Sequence, residues 1–206
     1  MKHRCSVLLL VGMLASLGCD RTLAARKGTT YVPSEEGLTL IYEDPTLPPA
    51  ARAEARLQMR VSTVKETPQG RRVTLVYTTL KGQNSFEFLS KDGGWALVEG
   101  NTLLFRLLPE GFPDRTDHWV EKAGGMAFHV IGRGRLQNAD LQLPEDYDRE
   151  GIWVELEPQA GPKRRIFFLP GIGEAESQVL RDGRWVPLNR LVSRGFTDPP
   201  AVPPAQ

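Results

Sequence analysis

The feature that most constrains this chain is its punctuation. From Leu38 to Ser193, short apolar or alternating runs are separated mostly by only a few turn-forming residues at a time. Ile152-Trp153-Val154-Glu155-Leu156-Glu157 alternates with period two, the spacing of a half-buried strand. Asp92-Gly93 and Asp182-Gly183 supply the positive φ angles that tight hairpins need. Thr67-Pro68-Gln69-Gly70, Gly100-Asn101 and the span 158–163 read as further turns. The strand-like runs are 38–42, 72–80, 85–90, 95–98, 103–108, 119–121, 126–131, 152–157, 165–169, 175–180 and 185–193.

Residues 50–66 are ambiguous. Their alanine content suits a helix, yet Ala53, Ala55, Leu57, Met59 and Val61 alternate with Glu54, Arg56, Gln58 and Arg60. A helix mixes those two sets on every face and a strand separates them. The spacing therefore predicts a long strand over 53–66. Residues 109–118 should be an exposed loop, and 132–135 a basic, glycine-rich turn. Residues 136–150 lack a period and suit an irregular crossing or a short helix.

Short turns force consecutive strands to pair antiparallel. A sheet of about nine or ten twisted strands curls or closes. The expected fold is all-β or mainly β, an antiparallel meander curved into a barrel or half-barrel, with a two-sheet β-sandwich as the alternative. Lys91-Asp92-Gly93-Gly94-Trp95 echoes Arg181-Asp182-Gly183-Arg184-Trp185. A duplicated half-domain or two ordinary Asp-Gly hairpins would each produce that echo.

The N-terminus follows a different logic. Lys2 and Arg4 precede an apolar run from Val7 to Leu17, which is too short for a membrane span of roughly 20 residues. Leu14-Ala15-Ser16-Leu17-Gly18-Cys19 resembles the lipobox of bacterial lipoproteins. The resemblance implies a signal peptide over 1–18, cleavage before Cys19, and a lipid on that cysteine. It implies a lipid-anchored position in the cell envelope, facing the periplasm or the exterior. Asp20 matches the residue that retains some such proteins at the inner membrane, though inner and outer membrane both stay open. Residues 19–30 then form a lipidated terminus and tether, 31–196 one β-rich domain, and 197–206 a disordered proline-rich tail.

Composition narrows the function classes. The 26 basic residues lose Lys2 and Arg4 with the signal, against 25 acidic ones, so the mature chain is close to neutral. That balance gives no drive toward nucleic acid. The two cysteines are Cys5, within the signal, and Cys19. No thiol is left for a disulfide or a thiolate metal site.

Candidate chemistry is sparse. His118 and His129 with Asp114 or Asp117 are the material for a metal site, weighed against packed or solvated side chains. Gly171-Ile172-Gly173 begins like a dinucleotide loop, but Glu176 stands at the third glycine position. Glu174 and Glu176, two apart on a strand, would share a face as a carboxylate pair or simply as solvated charges. Lys163-Arg164-Arg165 suits an anion or a solvated hairpin end. Trp95, Trp119, Trp153 and Trp185 all fall on or beside strand-like runs. They could line an apolar-ligand face inside a curved sheet or fill an ordinary core.

With its Tyr31-Val32-Pro33 opening, the hairpin over 53–80, the Leu169 to Gly173 bend and the Asp182-Gly183 turn, the mature chain resembles uncharacterised small β-rich envelope lipoproteins. That resemblance carries no catalytic residues and no cofactor. The expected function is a membrane-anchored, non-enzymatic envelope protein that binds a partner protein or an apolar ligand. The alternative is an envelope hydrolase in which Glu174, Glu176, Asp117 or His118 converge.

Overall fold

The computed structural model describes residues 30–122, 125–138, 141, 143 and 147–197. The expected signal, Cys19, nearly all of the tether, and the tail from residue 198 lie outside them. Among the described residues there are twelve strands: β1 Leu38–Glu43, β2 Leu57–Thr67, β3 Gly70–Thr79, β4 Gly82–Lys91, β5 Gly94–Glu99, β6 Thr102–Leu108, β7 His118–Glu121, β8 Met126–Arg135, β9 Glu150–Pro158, β10 Arg164–Leu169, β11 Gly173–Arg181 and β12 Arg184–Phe196. A short helix, α1, spans Pro49–Glu54.

All twelve strands join one sheet in the order β6-β5-β4-β3-β2-β1-β12-β11-β10-β9-β8-β7. Every ladder is antiparallel. Because β1 pairs with β12, the meander closes on itself at its two ends, and its break falls in the middle of the chain, between β6 and β7. There, among the described residues, no ladder joins the edges: the Arg106 backbone N–H donates to the Glu121 side chain, at Oε2, at 3.0 Å. The Phe105 and Phe128 rings lie 6.2 Å apart. The result is a nearly closed barrel formed by one continuous sheet of twelve strands, the number of runs legible along the chain and more than the overall count of nine or ten.

The alternation read from the sequence places the core. Leu40 pairs with Met59, Val61 with Leu75, Phe128 with Leu156, and Val154 with Ile166. All eight side chains are buried in one cluster. The barrel end at which Thr30 enters also carries the β4–β5 turn and the β6–β7 loop, and Thr197 leaves there. Gly171 N–H donates to the Thr30 carbonyl, and Thr197 N–H to that of Gly37. Buried Phe112, from the β6–β7 loop, stoppers that end; its ring meets Tyr31, Trp119 and Phe168 at 5.6, 5.9 and 6.3 Å.

Three expectations are corrected. The loop over 109–118, expected to be exposed, buries Phe112 in the barrel end, and its last residue, His118, begins β7. The long strand over 53–66 begins only at Leu57. β1 offers its last ladder partner to β2 at Tyr42, opposite Leu57, so residues before it have no strand to pair with. Their backbone satisfies itself in a helical turn instead, with Pro49 in its first turn and Ala55 N–H bonded to the Ala51 carbonyl. The glycine-rich turn over 132–135 is the end of β8. A bulge lies between Val130 and Gly132. The missing side chain of Gly134 leaves room for the Trp153 indole, which a Cβ would approach to 3.3 Å. Of the span 136–150, expected to be an irregular crossing, residues 139, 140, 142 and 144–146 lie outside the described ones; among the rest, Asn138 Nδ2 donates to the Leu191 carbonyl on β12 at 2.8 Å, and Leu136 and Leu141 are buried.

Candidate functional site

The barrel interior is not completely filled. A cavity of about 120 Å³ lies between Tyr42 on β1, Tyr77 on β3, Phe88 on β4, Trp95 on β5, and Glu174 and Asn189 on β11 and β12. Its geometry depends on a β-bulge. Phe167 pairs with Glu176, but the next residue, Phe168, pairs with Glu174, leaving Ala175 unpaired. One extra residue shifts the face of everything beyond it. Glu174 therefore points inward, whereas Glu176 stays on the outer wall, where Gln178 Nε2 donates to its carboxylate. The expected shared face for the two carboxylates does not exist.

Glu174 is partly buried, and its desolvation, which outweighs a hydrogen bond from Ser177, the Arg164 charge and a hydrogen bond from Asn189, raises its pKa above the usual carboxylate value. The phenols around it are affected in the same way. Burial, with the Glu174 charge adding to it, pushes Tyr77 up to about 12 and Tyr42 well above its ordinary value. The Tyr42 hydroxyl donates to the Glu174 backbone carbonyl at 2.8 Å.

The four tryptophans do not form one face. Trp95 and Trp119 are buried inside the barrel. Each stacks flat on a phenylalanine: Trp95 on Phe88 at 4.6 Å and 3°, Trp119 on Phe128 at 4.9 Å and 5°. Of the four, Trp95 alone borders the cavity. Trp153 and Trp185 belong to the outer wall, where they flank Arg165. Its guanidinium carbon sits 4.8 Å from the Trp153 ring and 4.6 Å from the Trp185 ring. Arg165 Nε also donates to Gln178 Oε1 at 2.8 Å, which fixes the plane of the guanidinium between the two indoles.

The remaining candidates scatter. His118 and His129 pair across β7 and β8, with Nδ1 atoms 3.0 Å apart, so one imidazole donates and the other accepts. Asp114 faces Arg133 at 3.8 Å instead. Among the described residues no group of three or more His, Cys, Asp or Glu is placed to hold a metal ion. His118 on β7 lies four strands from Glu174 on β11, roughly 19 Å of sheet at about 4.8 Å per strand. The carboxylate hydrolase reading thus has no convergent geometry behind it. Lys163-Arg164-Arg165 also disperses: Lys163 bridges Glu155 and Glu157, at 3.4 and 3.1 Å, while Arg165 is held between the indoles.

Other hollows lie outside the core. A polar groove of about 530 Å³ at the stoppered end runs between Asp92, Asp114, Arg115, Arg133 and Asp148. Another, of about 360 Å³, lies over Leu89, Ala96, Val98 and Leu103.

Comparison with protein-family models and with curated proteins returns no match. Two solved structures are similar. One is a Bacteroides fragilis protein described as exported and as having a YmcC-like fold. It is 15% identical, with a TM-score of 0.50 over 81% of this chain and 99% of that one. The fold is YmcC-like. The other is a Parabacteroides distasonis protein described as a lipoprotein, 11% identical, with a TM-score of 0.46 over the same shares. At such identities the likeness extends to the fold alone.

Sequence reasoning missed Tyr42, Tyr77 and Asn189 as neighbours of Glu174, and Arg165 as the partner of two tryptophans. Val73, Leu75 and Tyr77 are legible as one face of a strand, which is the signal that places Tyr77 inward. The bulge that turns Glu174 inward leaves its trace in Gly171 and Gly173, which mark a bend without fixing its register.

Proposed function

We propose that this protein is a lipid-anchored component of a bacterial cell envelope, non-enzymatic, whose barrel docks a partner protein on its outer wall. The observation that carries the docking reading is the Trp153–Arg165–Trp185 stack. Trp and Arg are the residue types that dominate protein–protein hot spots. Here all three are only half-buried, on a rigid sheet, with the cation already held in place by Gln178. An apolar ligand inside the barrel is the weaker reading, because about 120 Å³ falls well short of the roughly 300 Å³ at which ligand pockets begin.

The anchor rests on the lipobox-like stretch ending at Cys19, and the description of the Bacteroides fragilis neighbour as exported agrees with an envelope location. Eleven residues, 20–30, reach at most about 35–40 Å when extended. The stoppered end, where Thr30 enters, would then lie nearest the bilayer, with the outer wall facing sideways.

Two measurements test this. Metabolic labelling with a fatty acid should mark the wild type and not Cys19→Ala; equal label in both removes the anchor. A photo-crosslinking residue at Trp185 should give a discrete adduct in cells that weakens in Arg165→Ala. An adduct equally strong from Thr78 on β3, or unchanged by the substitution, removes the docking site.

A further inference from the structure

We propose that the interior cavity binds a small organic ammonium ion, held by the Glu174 carboxylate and faced by the rings of Tyr42, Tyr77, Phe88 and Trp95. This site is separate from the outer wall, and the proposal stands or falls independently of partner docking.

The lining selects the ligand's charge. Among the described residues, Glu174 is the sole carboxylate bordering the cavity, and no Lys, Arg or His borders it. An anion would find no counter-charge there and would meet a like charge. A neutral apolar group would leave the partly buried carboxylate with its hydrogen bonds from Ser177 and Asn189 but with no opposite charge in the cavity lining. A cation resolves both problems, and the aromatic faces add to its attraction through their negative quadrupoles. Phe88 and Trp95 are stacked almost parallel, at 3°, so the aromatic wall on that side is continuous and rigid. Asn189, which also lines the cavity, and Ser177 hydrogen-bond Glu174, and the Arg164 charge acts on it from outside the lining.

The volume selects the size. At about 30 Å³ per water, 120 Å³ has room for about four waters. That suits a methylated or primary ammonium group with few further atoms and excludes an acyl chain. Burial already raises the pKa of Glu174. A bound cation would favour its charged form and so release a proton on binding.

The test uses full-length protein purified in detergent and titrated calorimetrically. The probes are tetramethylammonium, its size-matched neutral analogue tert-butyl alcohol, and the bulkier tetrabutylammonium. The expected result is saturable binding of tetramethylammonium alone. Glu174→Gln should weaken it by about 10-fold or more, and Tyr77→Leu by about 2- to 30-fold. The comparison of probes on the unaltered protein needs no variant to fold. Absence of saturable tetramethylammonium binding overturns the proposal and leaves a hydrated cavity. Equal binding of the neutral analogue overturns it in favour of a merely apolar one.

Discussion

At the scale of single residues, the two ends of β11 show how one inserted residue redistributes chemistry. Glu174 is inside because Ala175 is unpaired, and its burial fixes the sign of its effect on stability. Below about pH 4.5, its ordinary value, Glu174 is protonated in both folded and unfolded chains and costs nothing. As pH rises past that point the unfolded chain ionises first, because the folded-state pKa is raised. Stability therefore falls until the folded-state pKa is passed. Glu174→Gln cannot ionise, so it should match the wild type near pH 4 and exceed it at pH 7–8. Urea unfolding at the two pH values measures this, and parallel wild-type and variant profiles would show that the carboxylate is not enclosed. A second residue has the opposite character. Gly151 lies against β10, and a Cβ there would come within 2.3 Å of the Phe168 carbonyl oxygen and 2.6 Å of Phe167 Cζ. Backbone cannot yield as a flexible side chain can, so Gly151→Ala should destabilise by about 2–3 kcal/mol. Thermal unfolding of that variant at the wild-type temperature would indicate a looser β9–β10 contact.

At the scale of elements, turn chemistry was the most legible part of the sequence. Both Asp-Gly pairs form two-residue hairpins, with Asp92 and Gly93 at φ 47° and 78°, and Asp182 and Gly183 at φ 49° and 75°. The echo around them is explained by that shared geometry. The β4–β5 and β11–β12 hairpins also occupy different places when the sheet is halved at its seam, which argues against a duplicated half-domain. The two turns differ in their surroundings, and this separates two contributions. An alanine Cβ at Gly183 would meet nothing within 4 Å, whereas at Gly93 it would lie 2.6 Å from the Phe112 carbonyl oxygen. Gly183→Ala should therefore cost only the left-handed backbone penalty of about 1–2 kcal/mol. Gly93→Ala should cost clearly more, because it also disturbs the loop that carries the Phe112 stopper. Chemical denaturation of both variants decides this, and equal losses would show that the stopper adjusts freely. What sequence reasoning could not supply was register. Alternation identified the strands of 152–157 and 72–80 correctly. But Leu57, Met59 and Val61 give way to Val64 after a shift between Val61 and Thr63. Such shifts occur on six of the eleven ladders. Such a shift exchanges inside and outside for the residues beyond it, which is why Glu174 and Glu176 read as sharing a face; Trp153, by contrast, alternates with buried Ile152 and Val154, so its outward side was legible in β9 itself.

At the scale of the whole molecule, closure and opening stand in unexpected places. A meander would be expected to leave its first and last strands as edges, yet β1 and β12 pair with each other. Six ladder positions join them, from Leu38 opposite Phe196 to Glu43 opposite Arg190. The edges are β6 and β7, which the sequence joins through a loop containing the Phe112 stopper. The first and last strands are thus tied into the most interior part of the sheet, while mid-chain strands carry unpaired backbone. Unpaired edge groups exchange with solvent more readily than laddered ones. β7 is also short and paired on one side alone, and Val120 on it is exposed. Amide exchange should therefore be graded around the barrel, slowest in β1, β2, β11 and β12 and fastest in β7 and the seam-facing amides of β6. The span should be about two orders of magnitude or more. The Arg106 N–H is the informative exception, because it already donates to Glu121 Oε2 and should exchange more slowly than its seam-facing neighbours. Mass-spectrometric exchange on the full chain measures the gradient. If peptides covering β6 and β7 are protected as well as those covering β1, the seam is laddered in solution. The barrel would then be fully closed, with no free edge.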